Sequence, residues 1–283
     1  MRVDFAASYR AAAARWPARS AELDVDTSWG RTHLLCAGPA DAPAVVLLHG
    51  DGATATAWAG VAAGLADRYR VLAPDQPGNP GRSGSSRPFR STADQVAWLG
   101  ELLAATTTHG PFHLAGHSAG AHLALSVALS RTAPRPTSLA LLDPTACFTG
   151  FSPRYLLHAA PSLLRPSPAR IHRFLAWETG GRRLEPAWLD TYVRGATECP
   201  RTPIVRTRRP SRAALASLDV PTLVLVAGRS RAHDPAAVAA GAARLPTGEV
   251  QVLRESTHHT VPVMDGGSIA AAIGAHVERA GSR

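Results

Sequence analysis

Four short runs of almost unbroken apolar residues, at 44–48, 112–115, 139–142 and 222–227, constrain this chain more than any other feature. A strand that stays apolar along its whole length must be covered on both faces, the condition inside a parallel sheet wrapped by helices. A shorter run at 70–73 fits between the first two. Segments 58–68, 92–105 and 120–130 have helical character and the length of crossover helices. Residues 22–26 and 31–36 flank Ser28-Trp29-Gly30, a hairpin signal for an antiparallel edge, while 249–253 supplies a last strand and 268–278 a closing helix. The expected fold is therefore α/β, a roughly eight-stranded, mostly parallel sheet with helices on both faces.

The stretch 145–212 breaks this rhythm. Eight prolines punctuate it, from Pro153 to Pro210, and helical pieces are expected at 154–164, 169–177 and 186–194. Short helices inserted between two core strands suggest a helical lid over the carboxyl edge of the sheet, with residues 1–144 and 213–283 forming the core.

Gly116-His117-Ser118-Ala119-Gly120 follows one apolar run and precedes a helix, the setting in which G-x-S-x-G builds a nucleophile elbow. Both glycines are needed because a Cβ at either would crowd the neighbouring strand and helix. His49-Gly50-Asp51-Gly52 comes directly after the run at 44–48, where a loop can aim a backbone N–H at a developing oxyanion. Asp75-Gln76-Pro77-Gly78-Asn79-Pro80-Gly81-Arg82-Ser83 closes the next strand. With these three motifs in this order the chain resembles the α/β-hydrolase superfamily over most of 44–142 and 222–260. One residue interrupts the glycine-rich loop relative to the commoner D-x-P-G-x-G-x-S pattern.

The resemblance implies the α/β-hydrolase fold, a nucleophile at Ser118, and an oxyanion hole made by the backbone N–H groups of Asp51 and Ala119. A carboxylate facing that hole would oppose the oxyanion, so the Asp51 side chain is expected to point away. The base and its orienting acid should follow the serine in the order Ser, Asp or Glu, His. His258 and His259 come after the last strand, and Thr257 makes His258 the preferred base, with His259 the alternative. After 222–227 the family commonly has Gly-x-x-Asp, whereas Gly228-Arg229-Ser230-Arg231 places a guanidinium in that slot, and a guanidinium cannot accept an imidazole N–H. Asp143, ending the strand 139–142 as the acid does in pancreatic-type lipases, is preferred, because a strand terminus fixes a side chain better than a loop tip. Asp234 is the alternative.

The reaction so implied is hydrolysis of an ester, thioester or lactone through an acyl-enzyme, without metal or cofactor. Within the same fold, a cofactor-free C–C bond hydrolase or a haloperoxidase-like perhydrolase uses a similar set, and a non-catalytic ligand-binding relative would keep only the pocket. Ser118 argues against epoxide hydrolases and haloalkane dehalogenases, which use an aspartate nucleophile.

Charge bears on what approaches such a site. The 283 residues contain no lysine, and of the net charge of +9 the segment 145–212 holds +8, from twelve arginines against Glu178, Glu185, Asp190 and Glu198. Seven aromatic residues share that segment. The excess is either an ordinary solvated surface or a device that steers an acidic partner, an acyl carrier protein or a coenzyme A thioester, to the serine. No nucleic-acid module is recognisable, and no apolar run approaches the roughly 20 residues of a membrane helix. Three cysteines, Cys36, Cys147 and Cys199, without CxxC spacing fit neither a zinc site nor a disulfide framework, so a cytoplasmic setting is expected.

Overall fold

In the computed structural model of the chain, which describes residues 3–108, 110–200, 202–203 and 205–282, the apolar runs form the middle of an eight-stranded sheet. Met1 and Arg201 lie outside the described residues. In chain order the elements are α1 (Val3–Ala13), β1 (Ala21–Thr27), β2 (Gly30–Ala37), β3 (Ala44–Leu48), α2 (Ala59–Leu65), β4 (Arg70–Pro74), α3 (Thr92–Thr106), β5 (Phe112–His117), α4 (Ala119–Ala128), β6 (Ser138–Leu142), α5 (Pro153–Leu164), α6 (Pro168–Glu178), α7 (Pro186–Glu198), α8 (Arg212–Ala216), β7 (Thr222–Ala227), α9 (Pro235–Ala242), β8 (Gly248–Leu253) and α10 (Gly266–Gly281).

The strand order is β1-β2-β4-β3-β5-β6-β7-β8. The β1–β2 hairpin and the β2–β4 pairing are antiparallel, and every other pairing is parallel. All residues of β3, β5, β6 and β7 are buried, as uninterrupted apolar strands require. Alternate side chains feed two cores. Val46, Leu48, Leu114 and Leu141 pack toward α3 and α4, whereas Val45, Leu47, Ala115 and Leu142 pack toward α2 and α10. Each fully buried Leu or Val contributes about 1.5–3 kcal/mol. The sheet order reverses at β3, with β4 on one side and β5 on the other, so the loops after β3 and β5 diverge and leave a crevice at their carboxyl ends.

Helices α5, α6 and α7 lie between β6 and β7 in the chain and share a third core built on Tyr155, Ile171, Phe174 and Trp188. Helix α1 was not anticipated, although Phe5, Tyr9 and Ala12 recur at helical spacing and all are buried. It docks on α7: Thr191 donates to the Ser8 carbonyl at 3.0 Å, and the Phe5 N–H donates to Glu198 at 3.2 Å. The amino-terminal helix is thereby tied to the inserted segment as well as to the core. Helix α9 was also unanticipated, although Asp234-Pro235 is a helix-start pair, with the Asp234 side chain accepting from the Ala236 N–H.

Candidate active site

The turn between β5 and α4 places Ser118 at the crevice. Its backbone stands at φ 55, ψ −118, a strained conformation for a residue with a side chain, and its N–H is held by the Leu142 carbonyl at 3.0 Å. The flanking glycines allow the turn to close: a Cβ on Gly116 would lie 2.3 Å from the Gly120 carbonyl, and one on Gly120 only 2.2 Å from the Leu48 carbonyl.

Across the crevice, the loop after β3 is braced by the loop after β4. The Gln76 N–H donates to His49 Nε2 at 3.0 Å, and Asn79 Oδ1 accepts from the Gly52 N–H at 2.8 Å. Buried Asp75 joins the two loops to the turn before α2 by accepting from the Ala55 and Arg82 N–H groups, both at 2.8 Å. Among the described residues neither the Asp51 N–H nor the Ala119 N–H has a protein acceptor. The first is on the braced loop and the second heads α4, where helix N–H groups have no internal partner.

Ser118, His258 and Asp143 are brought together. His258 Nε2 is 2.9 Å from Ser118 Oγ, and His258 Nδ1 is 2.7 Å from Asp143 Oδ2. A carboxylate only accepts, so Nδ1 carries the ring proton and Nε2 faces the hydroxyl as an acceptor. Asp143 is fully buried, yet the Ala227 N–H at 3.0 Å, the Ser230 hydroxyl at 2.7 Å and His233 Nε2 at 3.2 Å also converge on it. Burial alone would raise its pKa; the bonds and charges of His233 and His258 overcome that and hold it well below the usual carboxylate range. Burial pulls His258 below the ordinary histidine value, with Asp143 opposing. Asp234 is not brought to the site, since it caps α9, and His259 Nδ1 turns instead to Glu178 at 3.1 Å.

Comparison with known proteins places this geometry. The sequence profile of the alpha/beta hydrolase family matches residues 45–272. The chain belongs to that family. It is 29% identical to the carboxylesterase YbfK of Bacillus subtilis (strain 168) over 156 residues, which cover 55% of this chain and only about half, 52%, of that protein. An uncharacterized carboxylesterase, nap, of the same organism is 26% identical over 263 residues, 89% of this chain and 85% of the relative. The crystal structure of a B. subtilis naproxen esterase superposes with a TM-score of 0.86 over 98% of this chain and 96% of that one, at 24% identity.

Against the family's commoner pattern, this chain fills the loop after β7 differently. Arg231, in the slot usual for the acid, stacks its guanidinium 4.9 Å from the Trp177 ring centre, while its neighbours Ser230 and His233 turn inward to Asp143. Neither neighbour was singled out from the sequence, and a serine or histidine in such a loop carries no signal by itself.

Glu178, at the end of α6, entered the sequence reading only through the net charge of the inserted segment. It is fully buried and accepts from the His258 N–H at 2.9 Å, the His259 N–H at 3.1 Å and the Thr257 hydroxyl at 3.1 Å, in addition to the His259 ring. Burial works against its ionisation, but these donors, chiefly His259, hold its pKa below the ordinary value. His117 Nε2 donates to the His258 carbonyl at 2.9 Å. The backbone N–H, the carbonyl and both ring nitrogens of His258 are thus each fixed by a different residue. Asp143, His233 and His258 also offer donor atoms within 4.8 Å of one another, as a cation would need, but Asp143 and His258 use theirs on each other.

Ser118 and His258 open into a cavity of about 310 Å³ between the sheet edge and the inserted helices, walled by Phe151, Tyr155, Leu156, Phe174, Trp188 and Val263 among others. Asp51 lines this cavity and an adjoining one of about 250 Å³; burial pushes the Tyr155 and Tyr192 hydroxyl pKa values up, and the Asp51 charge adds to both shifts. No arginine is among the described residues lining either cavity, so the charge of the inserted segment sits outside the cleft. Cys36, Cys147 and Cys199 are all free, and no helix of the described residues is long and apolar enough to cross a membrane.

Proposed function

We propose that the protein is a serine hydrolase that cleaves a carboxylic ester, thioester or lactone through an acyl-enzyme at Ser118. The observation that carries this reading is the unbroken chain from Ser118 Oγ through His258 to buried Asp143, ending in a cavity. His258 Nε2 takes the hydroxyl proton as Oγ attacks the carbonyl, and returns it to the leaving group. Asp143 holds the imidazole in the tautomer that can accept and stabilises the imidazolium. The free N–H groups of Asp51 and Ala119 stabilise the tetrahedral oxyanion. Water then enters, gives its proton to His258 and releases the acid. Helices α5 to α7 act as the lid, and the carboxylesterase names of the relatives support an ester as substrate class.

Intact-mass analysis after fluorophosphonate treatment tests the reading. One adduct is expected, absent in S118A; an unlabelled wild-type protein beside a labelled control hydrolase would refute it. A chain-length series of p-nitrophenyl esters and acyl thioesters then defines the acyl group.

The lid extends the reading to the carrier of the acyl group. Ten of its arginines are exposed, and Arg194 is the one that pairs with acids among the described residues. Such a surface suits an acidic acyl carrier protein or coenzyme A thioester, whose approach it would accelerate at low salt. Association that weakens steeply between low and moderate salt is the expected result; salt-insensitive or undetectable binding would remove this extension.

A further inference from the structure

We propose that Asp51 makes this enzyme selective for esters that carry a protonated amine a few bonds from the scissile carbonyl. The inference rests on the serine-hydrolase reading. Asp51 stands where the two cavities meet, sharing that boundary with Ser162, Leu163, Tyr192 and Val205. It is the one aspartate, glutamate or arginine among the described residues lining either of them. The remaining walls are apolar, aromatic or neutral polar, apart from the histidines beside the serine. The carboxyl makes no hydrogen bond or ion pair among the described residues, although every other acid of this site, Asp75, Asp143 and Glu178, is fully engaged.

Position makes the unpartnered carboxyl consequential. It belongs to the residue whose N–H faces the oxyanion, so covalent geometry alone keeps it within about 4 Å of that N–H. An ionised, unpaired carboxylate there opposes the negative charge that develops on the carbonyl oxygen. Asp51 keeps access to solvent through the cleft, and the protein around its carboxyl displaces enough water to push its pKa up. An ammonium group brought by the substrate removes the conflict: it pairs with the carboxylate and leaves the oxyanion facing its two N–H donors and no net negative neighbour. A neutral ester of the same shape gains nothing. The two cavities, about 310 and 250 Å³, leave room for acyl and alcohol portions on either side of Asp51, so the amine can arrive on either.

The test compares isosteric pairs by pH-stat at pH 7. On the alcohol side these are 2-(dimethylamino)ethyl butyrate and isoamyl butyrate; on the acyl side, methyl 6-aminohexanoate and methyl heptanoate. In at least one pair the wild type should prefer the amine ester in kcat/KM by about tenfold or more, the scale of a close charge pair in a partly desolvated site. D51N keeps the backbone N–H and should remove that preference, lowering kcat/KM for the amine ester more than for its neutral partner. An unfolding midpoint for D51N near that of wild type separates selectivity from misfolding. A fluorophosphonate adduct at Ser118 combined with no amine preference in either pair, or with equal loss of both substrates in D51N, overturns the inference alone. Absence of any adduct overturns the hydrolase reading and this inference with it.

Discussion

Glu178 offers the sharpest test of how the inserted segment controls the chemistry. Glu178→Ala would leave four donors without their acceptor: two backbone N–H groups, the Thr257 hydroxyl and the His259 ring. A buried donor left unpaired costs about 1–3 kcal/mol, and water entering the vacated space would satisfy some of the four. With roughly half unsatisfied, the loss is about 3–5 kcal/mol, the range found when one partner of a buried charge pair is removed. Glu178→Gln keeps one acceptor oxygen but turns an NH2 toward donors, for about 1–3 kcal/mol. Urea unfolding followed by circular dichroism at pH 7 measures both. The same loop carries His258, so kcat should fall more than KM rises, because a loosened base affects the chemical step. The pH dependence has a definite sign. A carboxyl whose folded pKa lies below its unfolded value, near 4.3 for glutamate, stabilises the fold above that value and loses the contribution as pH falls through the folded pKa. Wild type should therefore lose stability in acid faster than E178Q. Equal unfolding free energies to within about 0.5 kcal/mol, with unchanged kcat in both variants, would refute the assigned clamp.

The site makes further demands. D143N should keep the fold near neutral pH and lose about 10⁴-fold in kcat, since an amide can favour the wrong imidazole tautomer, whereas D234N, altered at a helix cap, should stay within a few-fold of wild type. Steady-state assays of the two variants on one ester decide between them, and comparable losses would reopen the choice of acid. The acid limb of kcat/KM should fall below the ordinary histidine value near 6.5, because burial favours neutral His258; a limb above 7 would contradict this placement. G120A should not yield a folded enzyme, because its Cβ would lie 2.2 Å from the Leu48 carbonyl and only a shift of β3 relieves that; a normal unfolding midpoint would disprove the close approach.

How much was legible in the sequence follows from the range of the interactions. Continuous apolar runs determined a sheet buried on both faces, and Gly116-x-Ser118-x-Gly120 after such a run determined the elbow, because both are written in residues adjacent along the chain. The turn Ser28-Trp29-Gly30 between two short segments was likewise enough for the edge hairpin. The partners of Ser118 could only be narrowed to two acids and two histidines. His258 meets Asp143 across 115 residues of chain and Glu178 across 80, so the local cues, Thr257 before His258 and the strand end at Asp143, favoured one of each pair without deciding it. The tertiary structure decided both: Asp143 leaves the end of β6 beside Ser230 and His233, while Asp234 is taken up by a helix start. It also made Glu178, one acid in a charge count, a buried clamp, and Asp51 the one acid among the described residues lining the cleft. Composition records that these acids exist. Whether each faces water, a donor or a substrate is set by the low-dielectric surroundings that only the assembled fold creates.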